Sequence, residues 1–256
     1  MILGDLLSEL RENILYDRSD RVAGTSDYLW SDTTLVRYIN EAQNRFCRQG
    51  LILRDGTTPE VTQIILEEGV THYPLHESVL AVISAKHEND VADLARAGHA
   101  AFDTYRQPDP YYFDPSSLST LSPGKPLAYS TDDYLTESDC SDALTKATLR
   151  VYPAPTAEYA GNTIYLRVVR MPVNKLVVSN LNARPEVPEM HQLNMLDWAA
   201  YLALRIVDVD AGFDKRAESF RTSFEVHARE ARQIAMRKLF APLQWGFGRN
   251  GFSWER

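Results

Sequence analysis

The hydrophobic period of this chain changes twice, and that alternation restricts its architecture more than any other property. Over residues 2–15 apolar residues recur every three or four positions (Leu3, Leu6, Leu7, Leu10, Ile14), the spacing that lines one face of a helix. "SDTTLVRYINEAQNRFCRQG" repeats it: Leu35, Ile39, Ala42 and Phe46 form one stripe, Ser31 or Asp32 can cap the start, and Gly50 can end it. After Gly50 the pattern shortens to strands. "VTQIILEEGVTHYPL" holds two β-prone runs around a turn at Glu67-Glu68-Gly69, and "SVLAVISAKHE" adds a third. "KATLRVYPAP", "NTIYLRVVR" and "NKLVVS" supply further alternating strands, with Pro153 and Pro155 marking a turn. Past "ARPEVPEM" the helical period returns. Residues 189–210 carry Leu193, Leu196, Ala200, Ala203 or Leu204, and Val207; Gly212 punctuates. The longest helix, 214–239, aligns Ala217, Phe220, Phe224, Ala228, Ala231 and Ala235.

Helices, then strands, then helices predict an α+β fold: a helical bundle formed by N- and C-terminal helices, with an inserted antiparallel β-rich subdomain and an extended C-terminal arm. The expected division is 1–50 with 185–240 as the helical body, 51–184 as the β-rich insert, and 241–256 as the arm. At 256 residues the chain can bury a core without staples. Its two cysteines, Cys47 and Cys140, suggest no disulfide framework and point to a reducing cytoplasm. The start "MILGDLLSELRENIL" lacks the basic region of a signal peptide, and the longest apolar run, 198–207, is too short to span a bilayer. The expectation is a soluble protein with no membrane partner.

Charge is unevenly spread. The net charge is −8, yet residues 232–256 hold five bases (Arg232, Arg237, Lys238, Arg249, Arg256) against Glu255. The rest of the chain, with 22 bases and 34 acids, carries −12. An acidic body argues against general nucleic-acid binding, because phosphate contacts need a basic surface. The basic helix end (Arg232, Arg237, Lys238) is suited to an acidic partner.

No catalytic constellation is present. GxGxxG, GxxxxGK[ST] and GxSxG are missing, and "SPGKP" lacks the upstream glycine of a phosphate loop. His72 and His76 are four apart, but Pro74 between them denies the helix on which that spacing would hold a metal. His191 reads as a capping or surface residue and His227 as a satisfied or half-exposed one. The acids of "TDDYLTESDCSD" (Asp132, Asp133, Glu137, Asp139, Asp142) do not match a calcium loop and read as a solvated acidic face. Residues 103–142 otherwise read as loop, with five prolines in "DTYRQPDPYYFDPSSLSTLSPGKP". Tyr105, Tyr111, Tyr112 and Phe113 could form a stacking surface, or a loop packed on its own domain. No enzyme, cofactor or metal is expected.

Three stretches together resemble the head–tail adaptors of tailed bacteriophages, also called head completion or tail tubular A-type connectors. They are "WSDTTLVRYINEAQNRFCRQGLILRD", "EGVTHYPLHESVLAVISA", and the long segment from "VYPAPTAEYAGNTIYLRVVR" through "PEMHQLNMLDWAAYLALRIVDVDAG". They occur in order and cover about half of the chain; residues 89–142 match nothing in that pattern. The resemblance implies a structural virion protein at the head–tail junction, made in the host cytoplasm. It further implies a ring with the portal's symmetry (twelvefold), lying between the portal protein and a tail tube or nozzle protein, with DNA passing through as non-specific cargo. An acidic body suits such a conduit, since like charge keeps DNA from being gripped. The alternatives are a tail-side structural component, or a carbohydrate-binding β module on a helical stalk.

The chain ends on "APLQWGFGRNGFSWER", where Trp245, Phe247, Phe252 and Trp254 sit among three glycines. Aromatics seek burial, while glycines and a terminal position oppose order. The expected role is an arm docking on the portal or on a neighbouring subunit through these four residues and Arg249, with fold-back onto its own domain as the alternative.

Overall fold

The computed structural model describes residues 1–17, 28–96, 122–132, 147–206 and 211–249; side chains of 132, 206, 211–214 and 239–249 fall outside the description. The fold is α+β, as the two changes of period predicted. It divides into two compact units: Met1–Leu53 with Met171–Arg256, and Arg54–Arg170.

The helical unit opens with α1 (Leu3–Ser8), which runs into a π-helical stretch, Glu9–Ile14. The Asp5 carboxylate reaches back to accept from the Ile2 N–H at 3.0 Å, satisfying one orphan donor of the first turn. The wider π turn was not anticipated; the Leu15 N–H reaches back five residues to the Leu10 carbonyl. Ser31 caps α2 (Asp32–Gly50), its hydroxyl accepting from the Thr34 N–H at 3.2 Å. Asp32, the alternative cap, instead takes the buried Arg11 guanidinium at 2.5 Å. Gly50 is the last helical residue, but the left-handed position after it is Leu51 (φ 51°). Gly50 serves close approach: a Cβ there would meet Ile52 Cγ2 at 3.1 Å and the Ala231 Cβ at 3.6 Å.

In the second unit, β1 (Arg54–Asp55), α3 (Pro59–Thr62), β2 (Gln63–Ile65), β3 (His72–Pro74) and β4 (Val79–His87) precede β5 (Ala95–Arg96). Then come β6 (Ala128–Asp132), β7 (Thr148–Tyr152) and β8 (Thr163–Arg170). The long strand β8 is flanked by β4 on one edge and by β1 and β2 in succession on the other, all antiparallel. Ile164, Leu166 and Val168 are buried, while Tyr165 and Arg167 face solvent, as period two requires. A second sheet runs β3-β7-β6-β5, antiparallel except for the β5–β6 pair.

Two turns therefore have a different meaning from the expected one. Gly69 does make a turn, at φ 72°, but β2 and β3 on either side of it belong to different sheets. The same holds for Pro153–Pro155, between β7 and β8. A turn signal fixes where the chain reverses, not which strand it meets.

"NKLVVS" is not a strand. Its Leu176 N–H and C=O are held by the Asn40 side-chain amide at 2.9 and 2.8 Å, which replaces a ladder partner. Residues 171–184 consequently belong to the helical unit. In that unit α4 (Glu189–Ile206) and α5 (Ala211–Arg249) complete one cluster with α1 and α2. Gly212 lies inside the first turn of α5 rather than ahead of it, and Val207 falls outside the described residues.

Candidate docking surface

The buried stripe of α5 is largely the expected one: Ala217, Phe224, Ala228, Ala231 and Ala235, with Phe220 only partly buried. Its alanines let α4 and α2 approach closely; Phe224 supplies the bulk. The Phe224 ring meets Phe46 edge-on at 5.7 Å and Trp198 at 5.2 Å, and Trp198 meets Tyr201 at 4.8 Å with a 41° tilt. The Arg45 guanidinium lies 3.6 Å over the Trp198 ring, a cation–π contact. On α4, Leu196, Ala200, Ala203 and Leu204 are buried as expected, but Leu193 is not: it is 50% exposed.

His191 is a correction. It is a buried residue, not a surface one, with its ring 5.4 Å from Phe46. Burial lowers its pKa, and the charge of Lys238 lowers it further, so the ring is neutral at pH 7. His227 is half-buried, with Nδ1 3.3 Å from Asp197 Oδ2, an ion-pair distance whose approach angle falls outside hydrogen-bond geometry. Ser223 Oγ donates to the same Asp197 oxygen at 2.7 Å. Burial raises the Asp197 pKa, opposed by the Ser223 and His227 contacts. This trio is not a nucleophile array. The serine proton goes to the carboxylate rather than to the imidazole, so no base stands ready to activate Ser223.

His72 lies on β3 and His76 in the turn after it. His72 bonds the Thr71 hydroxyl at 2.9 Å and His76 the Ser78 hydroxyl at 2.8 Å. Among the described residues no group of three His, Cys, Asp or Glu could hold a metal ion, and no helix is long and apolar enough to cross a membrane.

Arg232, Arg237 and Lys238 are exposed on α5. The helix does not stop at 239 but runs to Arg249, so the backbones of Trp245, Phe247 and Arg249 are helical. It runs through Pro242, Gly246 and Gly248, three residues of low helix propensity. Phe252 and Trp254 lie outside the described residues, as do Asp133, Glu137, Asp139, Asp142, Tyr105, Tyr111, Tyr112, Phe113 and Cys140; Asp132 is described only as the last backbone position of β6.

Sequence reasoning missed the buried polar groups. Arg11 hides its guanidinium between the Trp30 carbonyl and Asp32. Asp55 accepts from the Thr57 N–H at 2.8 Å, the Thr58 hydroxyl at 2.6 Å and the Arg170 Nε at 2.6 Å. Burial alone would raise its pKa, but these donors together hold it well below the usual carboxylate range. The "DGTT" that opens on Asp55 is a readable turn signal, yet nothing local announces Arg170, 115 residues away.

Residues 1–245 match the SU10 adaptor protein family. The chain belongs to that family. It is a bacteriophage structural adaptor, a virion component of a family that is not an enzyme family. No curated protein sequence matches the chain. The match spans 89–142 as well, which the three resembling stretches had left unplaced. It closes at Trp245, so Phe247, Arg249, Phe252 and Trp254 lie beyond it.

Proposed function

We propose that this adaptor assembles as a ring between portal and tail, with DNA passing through its centre, and that residues 241–256 are its docking arm. The observation that carries the reading is α5. Among its described side chains the last buried position is Ala235, and the helix continues fourteen residues beyond it. That is about 21 Å of further helix at 1.5 Å per residue. This length leads past the exposed Arg237 and Lys238, with Arg232 one turn before Ala235, to Trp245 and Phe247, and then to Phe252 and Trp254 in the sequence. A basic rod ending in aromatics suits an acidic, apolar-pocketed surface, since aromatic anchors dominate most interfaces. Repetition around a ring multiplies a modest affinity per arm. The −12 carried by residues 1–231 supports DNA as cargo rather than ligand.

The test is to mix the full chain, and a chain lacking 241–256, with the cognate portal and image the products. The reading expects rings on the portal only with the full chain, and heads filled with DNA but without tails when the truncated chain is supplied in infection. Attachment that survives the truncation sinks the arm. DNA affinity that is tight and persists at high salt sinks the conduit.

A further inference from the structure

The centre of the α4–α5 contact is buried, but one flank of the seam carries exposed apolar side chains. Asp197 against Ser223 and His227 fixes the register of the pair. One and two turns before Asp197 on α4 stand Leu193 and Met190, 50% and 65% exposed. On α5 the stripe of Ser223 and His227 continues through Glu230 to Ile234, which is 38% exposed. Helical spacing thus brings Met190, Leu193 and Ile234 to one side of the seam, a run of exposed apolar residues that carries the exposed Glu230 within it and ends beside Glu189, which holds the Met1 amine at 3.3 Å.

We infer that this seam receives the C-terminal aromatic segment of a second copy of the chain, with Phe252 and Trp254 on Met190, Leu193 and Ile234. The inference rests on the reading of 241–256 as a docking arm and names its receptor. Reach decides that the occupant comes from another copy. Leu193 lies roughly level with Arg229, so α5 carries its own Arg249 twenty residues beyond that level. At 1.5 Å per residue this is about 30 Å. The five residues from Arg249 to Trp254 span at most about 18 Å fully extended. A chain's own Trp254 falls short of its own Leu193, while a neighbour approaching from the side is under no such limit. The chemistry also fits. Methionine adapts to an aromatic partner, and the exposed Glu230 within the run matches Arg249 or Arg256 of the segment.

Cross-linking tests this directly. Leu193→Cys and Trp254→Cys are made in separate full-length chains, mixed, and oxidised, both free at high concentration and on portal-bearing heads. The expected product is a disulfide-linked pair that forms only when both variants are present, and that Leu193→Cys alone does not give. Sedimentation of Leu193→Asp, a substitution at an exposed site, should show self-association weakened at least tenfold while its circular dichroism matches the parent. No mixed product in either setting, or unchanged self-association in Leu193→Asp, overturns the inference. If the mixed product forms but the truncated chain still binds portal, the seam stands and the portal-docking role of the arm falls.

Discussion

The helical unit is centred on a single apolar cluster to which α1, α2, α4 and α5 all contribute, whereas the β unit ties its first strand to its last through a buried carboxylate, Asp55. The contrast extends to one acid in each. Asp55 is surrounded by donors and its pKa is lowered; Asp197 is partly buried with fewer, and its pKa is raised. Helices satisfy their backbone internally, so their packing faces can be almost wholly apolar. Short strands leave loops and ends that need polar partners, and β1, β2 and β3, at two or three residues each, depend on such anchors.

The largest effect should come from breaking the aromatic centre. Phe224→Ala removes the ring shared by Phe46 and Trp198 and should cost about 3–5 kcal/mol, read as a lowered thermal midpoint in circular dichroism. A loss under 1 kcal/mol would mean the cluster does not hold the unit together. Next is Asp55→Asn, which keeps the shape but turns an amide N–H₂ toward donors; about 1.5–3 kcal/mol should be lost at pH 7. Because the folded pKa is depressed, that contribution is present above the unfolded carboxylate pKa and is lost as pH falls below about 4. Parent and variant should converge in acid urea melts; a pH-independent gap would show that charge is not the cause.

Asn40→Ala sharpens the boundary between the regions, because Asn40 alone gives Leu176 both its backbone partners through one side chain. About 1–2 kcal/mol should go, with faster hydrogen exchange at the Leu176 amide. Retained protection there would place the segment's hold elsewhere. The smallest effect belongs to Asp197→Asn. A raised folded pKa means the ionised carboxylate is disfavoured by the fold, so the parent loses stability as pH rises through that pKa. The neutral variant escapes this term but weakens the Ser223 and His227 contacts, leaving a net change within about 1 kcal/mol at pH 7. A large loss in guanidinium melts would make Asp197 a charge the fold requires.

Much of this was legible in the sequence, and the reason is local. Leu35, Ile39, Ala42 and Phe46 recur at the spacing of a helix because a helix's hydrogen bonds lie within four residues, so side-chain pattern and backbone state share one stretch of chain. Ser31 as a cap, Gly69 as a turn and the alternation along β8 have the same origin. The ordered stretches also carried the family. What the tertiary structure alone decided were partnerships at long range. Strand pairing joins residues whose neighbours in sequence say nothing of each other, so β2 and β3 parted into different sheets across an ordinary turn. Leu176 found an amide on α2 rather than a strand, His191 went inside against Phe46, and Asp55 met Arg170. Each depends on which surfaces collapse together, a property of the whole chain's burial that no local window holds.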